Sequence, residues 1–132
     1  MAGHVFISYT SSDRAQAIAL ADALEAQGVP VWIDRRSIEG GANWNAAIVR
    51  GIKDCAVFLV VGSARAFGSP NVQRELNLAV DENKPLLPLL LEQVTPPDEV
   101  RYALAGRQWL DARDGAQEAW LPRVLSAIKR LR

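Results

Sequence analysis

Apolar positions along the chain gather into two kinds of run, and the two kinds take turns. The segments H-V-F-I-S-Y (residues 4–9), V-P-V-W-I-D (29–34), C-A-V-F-L-V-V (55–61), P-L-L-P-L-L-L (85–91) and R-Q-W-L-D (107–111) have the length and content of strands. Between them run stretches of helical period. The alanine-rich segment 13–27 closes at Gly28, the residue favoured just past a helix end. A shorter one covers about 43–53. Another begins at Ser69, which can cap, and Pro70, which suits the first helical position. The last carries Trp120, Leu121, Val124, Leu125, Ile128 and Leu131 on one stripe.

The strand segments are apolar almost throughout instead of alternating, so both faces of their sheet need cover. Parallel strands joined by crossover helices supply it. The pattern predicts an α/β domain of flavodoxin-like type: a five-stranded parallel sheet in the order 2-1-3-4-5, with helices on both faces and functional loops at the carboxyl ends of the strands. Two prolines sit awkwardly in this scheme. Pro88 cannot donate to a ladder, so the fourth strand is expected to be short or bulged there. Pro122 implies that the last helix starts near Leu121 or is kinked. The stretch between the fourth and fifth strands reads as a Pro-rich loop.

Composition narrows the chemistry. At 132 residues with 49% hydrophobic and 23% charged content, residues 1–132 are expected to form one domain, either the whole protein or a piece cut from a longer chain. Fifteen basic and fifteen acidic side chains cancel, so nothing points to nucleic acid or an anionic membrane as partner. The one cysteine, Cys55, has no internal disulfide partner and abuts an apolar run, which fits a buried thiol in a reducing, cytoplasmic setting. The first residues read as a strand and not as a signal peptide, and no membrane-spanning run exists. With His4 and Cys55 the sole residues of their kinds, zinc sites built on His and Cys are excluded and no metal site is expected. A nucleophile activated by histidine would have to use His4, which opens a strand and reads as structural or solvent-facing. Catalysis would rest on carboxylates, hydroxyls or lysine.

Four segments meet at the carboxyl edge of such a sheet. In S-Y-T-S-S-D after the first strand, helix capping accounts for Ser11, Ser12 and Asp13. Glu75 is harder to explain. It lies at the margin of the stripe Val72, Leu76, Ala79 and Val80, too far along for the helix dipole, with no Lys or Arg three or four residues away. A structural role would pair it with Arg35, Arg36 or Arg65 from a neighbouring loop. Phosphate-binding signatures fail: there is no G-x-x-x-x-G-K-[ST], and Gly40-Gly41 does not extend to G-x-G-x-x-G. A phosphorelay receiver needs an acidic pair after the first strand and an Asp after the third, where this chain has Ser-Tyr and Gly-Ser.

In order and spacing these pieces resemble a bacterial Toll/interleukin-1 receptor (TIR) domain over residues 4–132. The pieces are V-F-I-S-Y, V-W-I-D with Glu39, Gly40, Gly41 and Trp44 behind it, F-L-V-V-G-S leading to S-P-N-V-Q-R-E-L, and P-L-L-P-L-L-L. The resemblance implies a flavodoxin-like fold and one of two roles. Many bacterial members hydrolyse the nicotinamide–ribose bond of NAD+, releasing nicotinamide and ADP-ribose or a cyclic isomer, often in defence. Others are non-catalytic scaffolds that bind other TIR domains. The family's catalytic glutamate maps onto Glu75, and its substrate-binding positions onto Ser8, Tyr9, Asp34, Glu39, Trp44 and Asn71. Many NAD-cleaving members carry a Trp where this chain has Asn71, which leaves Phe67 or Trp44 as substitutes for stacking on nicotinamide. NAD+ is then substrate, and no cofactor is implied. The loop 34–43 is expected to dock on a neighbouring copy, so that activation involves a homo-oligomer.

Overall fold

The computed structural model describes residues 3–33, 44–113 and 116–132. Its strands are β1 (Val5–Ser8), β2 (Val31–Trp32), β3 (Val57–Gly62), β4 (Leu86–Leu90) and β5 (Leu110–Asp111). All pair in parallel, in the order β2-β1-β3-β4-β5. The helices are α1 (Arg14–Ala26), α2 (Trp44–Lys53), α3 (Ala64–Phe67), α4 (Pro70–Asp81), α5 (Asp98–Leu104) and α6 (Gln117–Leu131), with a 3₁₀ turn over Ser11–Asp13 ahead of α1. This is the flavodoxin-like arrangement read from the sequence.

Alternation along the strands divides the core into two layers. Val5 and Ile7 of β1, with Val57, Leu59 and Val61 of β3, face α1 and α6 through Leu20, Leu24, Val124 and Ile128. Phe6, Phe58 and Val60 face the other helices through Ile52, Val72, Leu76, Val100 and Leu104. Every residue of β1 and β3 is buried, as expected of central strands covered on both sides. Each large side chain buried this way contributes about 1.5–3 kcal/mol of hydrophobic stabilisation. On the second layer Trp32, Phe6 and Phe58 stack across three neighbouring strands, at centroid spacings of 4.7 and 5.4 Å. Gly51 lets α2 press down on this row, since a Cβ there would lie 3.0 Å from the Trp32 ring.

Local signals act as read. The Ser69 hydroxyl accepts from Val72 N, Pro70 opens α4, and Gly28 ends the α1 region at φ 82°. Three expectations need correction. First, β4 is neither bulged nor interrupted at Pro88: its register against β3 runs unbroken from Phe58↔Leu86 to Gly62↔Leu90. Pro85 O and Leu91 N bond to β3 while Leu90 O bonds to Ala112, so the even residues of β4 turn towards β5. The donor that Pro88 lacks would face ahead of Leu110, where β5 begins, and no ladder bond is lost. Second, α6 begins at Gln117 and not near Leu121, so Pro122 lies inside it, exposed, in the second turn. Third, the Pro-rich stretch contains α5, which buries Val100 and Leu104. On α4, Val72, Leu76 and Ala79 are buried but Val80 is exposed, so the stripe is narrower than its sequence suggests.

Candidate functional site

Glu75 is positioned by two periodicities that meet. The helical repeat buries Val72, Leu76 and Ala79 of α4 against the sheet, which leaves Glu75 half-buried at the flank of that stripe. The strand repeat turns Ser8, the last residue of β1, to the same side as Phe6 and so towards α4. The Ser8 hydroxyl donates to Glu75 Oε1 at 2.7 Å. Ser8 is 1% exposed, and the bond satisfies a hydroxyl that would otherwise be stranded in the core. The carboxylate therefore sits at the carboxyl edge of the sheet, beside the point between β1 and β3 where the strand order reverses, the usual ligand crevice of such folds.

A second bond of the same kind crosses this seam. Ser63, buried just beyond β3, donates to Asp13 Oδ2 at 2.5 Å and accepts from Ala66 N at 3.1 Å. This overturns the capping account of the first loop. Asp13 precedes α1 but makes no side-chain cap bond, Thr10 makes none to the 3₁₀ turn, and Ser11 and Ser12 are exposed. Neither Ser63 nor this use of Asp13 was legible beforehand; the one signal was that G-S ends the third strand in front of a short apolar helix.

The remaining predicted site residues divide. Tyr9 directly follows Ser8, but its ring leans on the α1/α6 layer, the face opposite the one Ser8 takes. Asn71 is exposed in the first turn of α4, one turn before Glu75. Trp44 opens α2, which packs beside α4. Asp34 and Glu39 lie outside the described residues, as do Arg35 and Arg36. Phe67 cannot supply the stacking surface that Asn71 lacks. It is fully buried, its edge meets Trp109 at 6.0 Å and 71°, and it fills the space above Gly62.

His4 takes the structural one of its two expected roles, and Cys55 is buried as expected. His4 Nε2 donates to Gly51 O at 2.7 Å, satisfying a carbonyl in the last turn of α2 that has no partner within its helix. Burial pushes the Cys55 thiol up to about 11, which leaves it protonated and unreactive near neutral pH. Among the described residues, no group of three or more His, Cys, Asp or Glu could hold a metal ion. No helix there is long and apolar enough to cross a membrane.

The family model for TIR domains matches residues 5–125. Among solved structures, the TIR domain of the Toll-related receptor TRR-2 from Hydra magnipapillata superposes with a TM-score of 0.78 at 22% identity, covering 96% of this chain and 98% of that one. The TIR domains of the activated Roq1 resistosome, which recognises the pathogen effector XopQ, give a TM-score of 0.74 at 16% identity over 96% and 99% of the two chains. BcmB, a CMP N-glycosidase of Clostridium botulinum, gives a TM-score of 0.64 at 18% identity over 93% and 98%. At these identities the likeness speaks for the fold. No curated protein matches the chain.

Proposed function

The chain belongs to the TIR domain family, and on that footing we propose that it is an NAD+ glycohydrolase with Glu75 as the catalytic carboxylate. The observation that carries this reading is the bond from buried Ser8 to Glu75, which holds a half-buried acid at the carboxyl edge of the sheet in a fixed orientation. Scission of the bond between nicotinamide N1 and ribose C1′ sends the bonding pair to the nicotinamide ring, which leaves neutral. Positive charge then builds on C1′ and the ring oxygen of the ribose. A preoriented carboxylate stabilises that charge and accepts hydrogen bonds from the ribose hydroxyls. Attack of water at C1′, with loss of one proton, gives ADP-ribose; attack by a nitrogen of the same molecule's adenine gives a cyclic isomer. The leaving group needs no proton, so no general acid is required. An enzyme named for cleaving an N-glycosidic bond in CMP shares this architecture, which supports the reading by analogy.

The competent state is an assembly of several copies, in keeping with the TIR domains of a resistosome among the structural relatives. Mass action then makes turnover per molecule rise with protein concentration. The test is incubation with NAD+ over about a hundredfold range of protein concentration, with nicotinamide read by chromatography. Release that rises with concentration and falls at least about a hundredfold in Glu75→Gln, with the fold retained, is the expected result. Equal turnover by the variant would remove Glu75 from the chemistry.

One observation favours the second reading, a TIR scaffold that binds other TIR domains without chemistry. Asn71 replaces the aromatic expected before the glutamate, and Phe67 is locked in the core. Under that reading the parent protein self-associates yet releases no nicotinamide at any concentration.

A further inference from the structure

Two bonds from a hydroxyl to a carboxylate cross the seam between β1 and β3, and they run in opposite senses. Ser8, at the end of β1, donates to Glu75 on a helix beyond β3; Ser63, just beyond β3, donates to Asp13 in the turn beyond β1. At this seam the chain leaving β1 turns towards the α1/α6 layer, while the chain leaving β3 turns to the other layer. In folds of this kind such divergence marks the ligand crevice, and the two bonds lie across that place.

The second bond is a non-local choice. Asp13 stands directly before α1, within reach of amides it could cap, yet its side chain caps none of them. It reaches instead to a residue 50 positions away. Ser63 is 5% exposed, and its one proton goes to Asp13 while a lone pair takes Ala66 N. It thus joins the end of β3, the first turn of α3 and the turn after β1. Only Gly68 and Ser69 separate α3 from α4, and Gln73 Nε2 donates back to Phe67 O at 2.6 Å. What fixes α3 therefore fixes the start of α4, and with it Glu75.

We infer that Asp13 and Ser63 are positioning residues: their bond sets the width of the crevice and the placement of the helix that carries Glu75. The inference rests on the reading of Glu75 as catalytic for its effect on turnover, but not for its effect on the structure. Asp13→Ala removes the bond and leaves Ser63 free to cap α3. Assayed with NAD+ well below the unfolding transition, it should lower kcat about tenfold with KM within about twofold of the parent. Ser63→Thr keeps the hydroxyl and should stay within about threefold. Asp13→Ala added to Ser63→Ala should lose no further turnover, because both delete the same bond. A parent-like kcat in Asp13→Ala, a change confined to KM, or losses that multiply would overturn the inference.

Amide hydrogen exchange tests the same bond without turnover. In Asp13→Ala, the amides of residues 8–10 and 72–76 should exchange at least about fivefold faster relative to those of α6. Acceleration confined to residues 11–14 would overturn the inference even in an active enzyme. If the parent releases no nicotinamide, the reading of Glu75 falls, and the exchange pattern still decides whether Asp13 and Ser63 hold the crevice.

Discussion

Ser8 and Glu75 stand 67 residues apart in the chain and 2.7 Å apart at the carboxyl edge of the sheet. A strand's alternation brings one of them there and a helix's repeat brings the other, so neither segment alone hints at the pairing. The consequence is a carboxylate whose orientation depends on a buried hydroxyl in the central part of the sheet.

Ser8→Ala takes away that hydroxyl while leaving the volume almost unchanged. A hydrogen bond to a charged group contributes about 1.5–3 kcal/mol, so, on the proposed function, kcat/KM for nicotinamide release should fall by roughly tenfold or more. Steady-state kinetics beside a urea unfolding curve separate this loss from one of stability. Parent-like turnover would leave the bond with no part in orienting the acid.

On the proposed reading, Asn71→Trp should place a stacking ring one turn before Glu75. Residue 71 is exposed, one turn before Glu75, so an indole there meets solvent and substrate instead of the core. Stacking on the nicotinamide contributes on the order of 1 kcal/mol, which lowers KM by about fivefold. A well-folded variant with weaker turnover would mean that another side chain, Trp44 being the named candidate, already covers that ring.

Gly62→Ala should be poorly tolerated. A Cβ at this position would lie 2.7 Å from Phe67 Cζ and 3.2 Å from Leu90 Cδ2. Phe67 has no room to step aside, being fully buried and set edge-on against Trp109. Overpacking of this sort destabilises by about 1–3 kcal/mol, read as a lower urea midpoint at unchanged slope. Because Ser63 is the next residue, turnover should fall with it. An unchanged midpoint would show that α3 can shift without penalty.

Alkaline stability should carry the signature of Cys55. Its thiol ionises near 9.0 when exposed in the unfolded chain but only at about 11 when folded. A raised acid pKa favours the unfolded state as pH rises, so stability is unaffected below pH 9 and declines between pH 9 and about 11. Unfolding curves for the parent and Cys55→Ala across that window should show the parent's midpoint falling more steeply. Identical slopes would mean that the thiol is not desolvated.

What the sequence carried on its own was the part set by local rules. The unalternating strands gave the covered parallel sheet, and Ser69, Pro70 and Gly28 marked helix ends because capping and positive φ are decided within a few residues. Glu75 stood out by breaking its helix's pattern. The partners of such groups depend on where distant segments land, which is why S-S-D read as a cap when Asp13 in fact reaches Ser63. The helix α5 was missed because Pro96 and Pro97 dominate their neighbourhood. Asp98 and Glu99 at its first turn, with Val100 and Leu104 four apart, were the signals present. Pro88 misled for a different reason: a residue's parity in the ladder, invisible in sequence, decides whether a missing donor matters.

The outer strands, β2 and β5, are two residues long each. Among the described residues, a flank that short offers an incoming chain almost no run of open amides and carbonyls to pair with, which disfavours extension of the sheet from copy to copy. High local concentration of the domain therefore carries little risk of growth into fibrils by addition to these strands. If copies of this domain do associate, as the proposed function requires, side chains on its helices and loops offer more contact surface than its short edge strands.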